Sequence, residues 1–177
     1  MSLATISAGA KLRASFINAI VNAFNALSVI FDQKESVQQT GSTSSSSAVG
    51  TSATAVLSIS NVTFKAGRAY SVENIGGALG STTLEADFSF WKNGTSGTQM
   101  GAFYRTPCVA GGAVRNCYGK IYVANTSGSD VVWTSATLAV ATSTGTVTHE
   151  AAANRPRQFI IRDVGLASAY SNAYVVT

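Results

Sequence analysis

Charge is what this sequence has least of. Lys, Arg, Asp and Glu together make up 11% of its 177 residues, less than half the usual share of about 25%. Ser, Thr, Ala, Gly and Asn take their place, a mixture that suits strands with solvent-facing hydroxyls and surfaces that pack against neighbours without desolvating ions. The net charge is +4, yet the basic residues are scattered from Lys11 and Arg13 to Arg162. Nucleic-acid binding calls for a stripe of Lys and Arg, often with stacking aromatics. The densest cluster, Arg155, Arg157 and Arg162 around Pro156, reads better as the solvated entrance to a strand, so no specific nucleic-acid partner is expected. Long apolar runs are missing too. None approaches the roughly 20 residues needed to cross a bilayer, and no membrane partner is expected. The opening MSLATISAGAKLR lacks the basic region and following apolar stretch of a secretion signal. The expectation is a chain made in a cytoplasm that leaves, if at all, as part of a larger body.

The residues that carry chemistry are equally scarce. His149 is the only histidine and stands beside Glu150 in a polar stretch. A Ser-His-Asp arrangement would have to use it, and no G-x-S-x-G elbow accompanies it; a lone, inert surface histidine is the simpler reading. Among the eight acids, Glu85 and Asp87 alternate onto one strand face, the spacing of a candidate carboxylate pair of the kind that cleaves sugars. They lie opposite the face of Phe88 and Phe90, so a solvated outer face is the better reading. EF-hand spacing, a P-loop and G-x-G-x-x-G are all absent. Cys108 and Cys117 flank Gly111-Gly112, and one His with two Cys falls short of the about four ligands that structural zinc takes. A cross-strand disulfide and a pair of buried thiols both remain open. The sequons at Asn61, Asn93 and Asn125 are what a chain rich in Asn, Ser and Thr produces by chance. The expectation is a protein that is not an enzyme, with no catalytic residue, no cofactor and no metal.

What is present falls into three parts: an N-terminal arm and helix over 1–37, a Ser/Thr-rich linker over 38–54, and a β-sandwich over 55–177. Ser15 precedes the apolar segment FINAIVNAFNALSVIF and is placed to cap a helix. Ile17, Ile20, Phe24, Leu27 and Phe31 repeat at intervals of three and four, which makes a heptad seam. A second stripe, Phe16, Ala23 and Ile30, widens the apolar face. So short a helix is marginal alone and must bury that seam, either on its own domain or against copies of itself. The following QQTGSTSSSSAVGTSAT carries no large apolar residue but Val49. By composition it is a flexible leash, which favours self-association.

The remainder reads as β throughout. Over 83–91, Leu84, Ala86, Phe88 and Phe90 alternate with Glu85, Asp87, Ser89 and Trp91, the mark of a half-buried strand. Asn93-Gly94 then turns the chain. Weaker alternating runs occupy 55–59, 69–72, 99–105, 115–123, 131–140, 157–164 and 173–177. Gly76-Gly77, Gly111-Gly112, 125–128 and Gly145 read as turns between them. Short strands with regular turns and no crossover helix predict a mainly β fold, an antiparallel β-sandwich or jelly roll with an N-terminal α-helix. Three aromatics fall on polar faces: Trp91, and Tyr118 with Tyr122 beside Asn116 and Lys120. They are candidates for surface contact, with a sugar ring or with a neighbouring subunit.

The segment ISAGAKLRASFINAIVNAFNAL resembles the opening of small virion structural proteins of tailed bacteriophages. There a TAG-x-x-(I/L)-x-A-S-x-x-N stretch leads into a helix and then a β-sandwich. The matching residues are Ser7-Ala8-Gly9, Leu12, Ala14-Ser15 and Asn18, with Ser7 in place of the more usual Thr. The closing RPRQFIIRDVG, ending in Asp163-Val164-Gly165, resembles the last core strands of such domains. The resemblance covers the two ends of the chain and carries no catalytic residues. It implies a virion location and a role in capsid decoration, as a head fibre or as a minor tail or fibre protein, often as a homotrimer. The partners it implies are sister copies, the major capsid protein or tail proteins and, for a fibre, a host glycan. A secreted hydrolase with a jelly-roll fold is the competing reading; the missing acid cleft and signal argue against it. A single short helix in place of a long shaft favours decoration over a fibre.

Overall fold

The computed structural model describes residues 18–23, 37–110 and 113–177. The chain divides into two units, Met1–Lys34 and Glu35–Thr177. In the first, residues 18–23 are helical and Ile20 is partly exposed. Ile17, Phe24, Leu27 and Phe31, the rest of the expected seam, lie outside the described residues.

The described residues of the second unit form ten strands: β1 (Val37–Ser42), β2 (Thr54–Phe64), β3 (Arg68–Gly80), β4 (Leu84–Lys92), β5 (Thr98–Cys108), β6 (Arg115–Ala124), β7 (Val131–Thr142), β8 (Val147–Glu150), β9 (Arg157–Leu166) and β10 (Tyr174–Val175). β4 and β5 form the hairpin at Asn93-Gly94, where both residues adopt positive φ, 59° and 83°. Outward from that hairpin, β3 pairs with β6, β2 with β7 and β1 with β9. The chain is thus one long antiparallel hairpin rolled up, so that β1-β9-β3-β6-β10 make one sheet and β2-β7-β4-β5 the other. β8 pairs with the far end of β3 and continues the lane of β9. Eight lanes rolled in this way are a jelly roll. Among the described residues the one parallel pairing is β10 on β6.

Period-two alternation fixes which side chains meet between the sheets. Phe88 and Phe90 of β4, Tyr70 and Val72 of β3, Leu138 and Val140 of β7, and Phe159 and Ile161 of β9 are all at most 1% exposed. Phe64 meets Tyr70 and Trp133 edge-on, with ring centroids 5.1 and 4.6 Å apart.

Several expectations are corrected here. The stretch 38–54 is no flexible leash. β1 pairs with β9 over its whole length, and the Gln38 amide bonds both backbone groups of Thr63 on β2, joining the edges of the two sheets. Residues 43–50 then cross the end of the sandwich as a strap, with Val49 buried at 3% exposure and bridged to Val147. The serines secure the strap by hydrogen bonds instead of by apolar burial, which is why composition hides it. Gly76-Gly77 is not a turn but the interior of β3, opposite Cys117 and Asn116. A Cβ at Gly76 would lie 2.3 Å from the His149 ring, and one at Gly77 2.4 Å from Val114, so both glycines serve close packing. Arg157 is buried, not solvated, and donates to the carbonyls of Ser44 and Val56. Cys108 and Cys117 are free, buried thiols, and burial pushes both pKa values up.

Candidate surface site on the four-stranded sheet

β4 presents Glu85, Asp87, Ser89 and Trp91 on the outer face of its sheet, as alternation requires. Trp91 folds back along the strand, and its indole Nε1–H donates to Ser89 Oγ at 2.8 Å. The Ser89 hydroxyl in turn donates to the Ala139 carbonyl on β7 at 3.5 Å and is only 8% exposed. The ring is therefore held by its polar edge. On the facing strand the pairing register slips twice, between the partners of Phe88 and Ser89 and again between those of Phe90 and Trp91. Bulges of this kind re-aim side chains near a sheet edge. The result is a trough of about 470 Å³ lined by Trp91, Ser89, Asp87, Gln99, Arg105 and Ala53.

Arg105 is the residue that sequence reasoning missed. It stands directly across from Asp87 in the β4–β5 register. Its Nε donates to Asp87 Oδ1 at 2.6 Å, Nη2 to Oδ2 at 3.3 Å and Nη1 to Glu85 Oε2 at 3.1 Å. The hydrogen bonds to Asp87 raise the guanidinium pKa further. One arginine thus occupies both carboxylates on the outer face, and an exposed arrangement of this kind contributes little to stability. Counting residues outward from Asn93-Gly94 would have set Met100 opposite Asp87; a longer loop and the two register slips bring Arg105 there instead. The trough offers a flat apolar ring face with fixed donors and acceptors along one rim.

Tyr118 and Tyr122 do not join this site. They lie on β6, in the other sheet, at 60% and 39% exposure. Tyr122 packs on Tyr170 with centroids 5.1 Å apart, and Lys120 reaches over the Tyr122 ring while pairing with Glu73 at 3.2 Å. The three aromatics singled out in the sequence therefore belong to two opposite surfaces.

His149, expected at the surface, is completely buried, edge-on to Phe88 with centroids 5.3 Å apart. Burial, and the positive charge of Arg157, push its pKa down to about 3. The ring is neutral at any ordinary pH and out of reach of a substrate. Among the described residues no cluster of three or more His, Cys, Asp or Glu could hold a metal ion, and no helix is long and apolar enough to cross a membrane.

No protein family matches the chain, and no curated protein sequence matches it. Solved structures that resemble it include proteins of infectious bursal disease virus. The protein of the T13 viral particle shares 15% identity at a TM-score of 0.47, over 76% of this chain and 36% of that one. The Gx strain protein shares 18% at 0.46, over 76% and 38%. The VP2 subviral particle shares 15% at 0.42, over 75% and 38%. This chain thus spans little more than a third of the length of the chains it matches, and so distant a likeness carries no function across.

Proposed function

We propose that this chain is a structural protein of a tailed-bacteriophage virion, and that it decorates the capsid. The observation that carries the reading is the order of parts: a phage-like ISAGAKLRAS segment with an apolar heptad seam precedes a rolled-up jelly roll whose candidate acid pair is occupied by an arginine. The seam of Ile17, Ile20, Phe24, Leu27 and Phe31 joins sister copies, as a homotrimer because the apolar face is broad. The jelly roll packs on the major capsid protein or stands above it. Low charge suits such a role, since close-packed subunits would otherwise desolvate ions. Each contact contributes about 25 cal/mol per Å² of apolar area buried, multiplied over many copies. No catalysis enters this role. Particles lacking the protein should still assemble but lose packaged DNA at a lower temperature; particles equally robust without it would rule decoration out.

The Trp91 trough favours a second reading, a minor tail or fibre protein that binds a host glycan. An indole face stacks on the C–H face of a sugar ring, and Asp87, Arg105 and Gln99 stand where its hydroxyl groups would fall. On this reading Trp91→Ala leaves the fold intact and abolishes adsorption of particles to cells. Unchanged adsorption by that variant sets the glycan reading aside.

A further inference from the structure

The buried histidine belongs to β8, the strand to which the strap 43–50 is fastened mostly by hydrogen bonds. His149 has no exposed surface, and neither ring nitrogen has a hydrogen-bonding partner. The ring fills the space left by the missing side chain of Gly76 on β3 and abuts Phe88 of β4. Over this end of the sandwich runs the strap 43–50. Ser46 N–H donates to the His149 carbonyl at 3.0 Å, and His149 N–H donates to Ser46 Oγ at 2.9 Å. Ser45 Oγ donates to Glu150 at 2.8 Å and accepts from Ala151 N–H at 3.1 Å. The Ser44 carbonyl accepts from Arg157 Nε at 2.9 Å. Val49 is the strap's one buried apolar side chain.

The charges around the ring leave a proton nothing to pair with. The charge acting on it is the Arg157 guanidinium of β9, which is of like sign once the ring is protonated. Among the described residues no carboxylate pairs with Arg157, whose Nε and Nη1 bond carbonyls. Glu150, the next residue of β8, is engaged by Ser45. From β5 comes Tyr104, whose hydroxyl accepts from Asn74 of β3, and from β6 the buried thiol of Cys117; neither is an anion at acid or neutral pH. Phe88 covers β4's side.

We propose that the strap 43–50 and His149 form an acid-released latch: a proton on the buried ring opens the strap before the rest of the jelly roll unfolds. A buried imidazolium beside Arg157 is relieved by reaching water. Phe88 and the backbone of β3 at Gly76 hold the ring from within the sheets, whereas the strap is bonded to the backbone of His149 itself, so the strap is what gives. Two of its bonds are to the backbone of His149 itself, and shifting that residue breaks both. The sign follows from linkage. The ring binds a proton at its ordinary pKa of about 6.5 when exposed and at about 3 when covered, so the open form takes up more protons between those values. The opening equilibrium therefore grows about tenfold per pH unit below about 6.5.

The test uses the full chain. Hydrogen exchange, corrected for the intrinsic pH dependence of the amides, should show Ser46 and Val49 opening about sixteenfold more at about pH 5 than at about pH 6.5, while the β3–β6 ladder keeps its protection. His149→Leu should abolish that increase. If that variant fails to fold, the single histidine gives an unambiguous NMR signal in the native protein. Its ring should stay neutral in the closed form well below about pH 6 and titrate only as the strap opens. A ring that titrates at its ordinary value under a protected strap, or a strap that loosens equally in His149→Leu, overturns the latch.

Discussion

Removing the first fifty residues should unfold the jelly roll, although the sequence makes that segment look dispensable. Outside the β1–β9 ladder, Gln38 makes two hydrogen bonds to Thr63, Ser44 one to Arg157, Ser45 two to Glu150 and Ala151, and Ser46 two to His149; Val49 makes two to Val147 and Gly50 one to Thr142. At about 0.5 kcal/mol each, the low end for a net hydrogen bond, these ten come to about 5 kcal/mol. Burial of Val49 adds about 1.5 kcal/mol or more, and the six-residue β1–β9 ladder has still to be counted. Whole domains are stable by only about 5–15 kcal/mol. A fragment of residues 51–177 should therefore show no cooperative thermal transition by circular dichroism, whereas residues 35–177 should melt cooperatively. A 51–177 fragment that melts within a few degrees of 35–177 would refute the reasoning and restore the leash.

Other perturbations follow from the same structure. Asp163→Asn leaves the Arg68 guanidinium, a buried partner held through Nε and Nη2, without its counter-charge, and should cost about 3 kcal/mol in denaturant titration; a loss below about 1 kcal/mol would mean the pair is solvated. Gly119→Ala puts a Cβ 2.2 Å from the Tyr104 ring and 2.8 Å from Phe103 Cβ, and should cost about 1–3 kcal/mol by overpacking, read as a lowered melting temperature. Phe24→Asp combined with Leu27→Asp should yield a monomer by light scattering while the jelly roll's melt is unchanged. An undiminished oligomer would take the helix out of assembly.

Much of the jelly roll was legible because its pattern is local. The alternation through Phe88 and Phe90 and the Asn93-Gly94 turn needed no partner strand to be recognised. The parts that escaped depend on contacts between distant residues. Ser44, Ser45 and Ser46 look like linker until β8 and β9 supply their partners more than a hundred residues away. Gly76-Gly77 carries a turn's composition, yet the chain runs straight because His149 and Val114 occupy the space that side chains would fill. His149 itself was misplaced by its polar neighbours. The alternation of Val147, Thr148, His149 and Glu150, with the first and third buried, was the available signal. At the candidate site, Trp91 was visible as an aromatic on a polar face, but Arg105 emerges only when β5 is laid in register on β4.

The central claim is that this chain belongs to a virion, held there through copies of itself. An image reconstruction of purified phage particles, with the jelly roll fitted to the density, tests it most directly. The account predicts three jelly rolls around each attachment point on the capsid surface, with their N-terminal helices converging beneath them. Density for this fold at the tail tip instead would move the function to adsorption. Intact particles that contain none of the chain would contradict the account altogether.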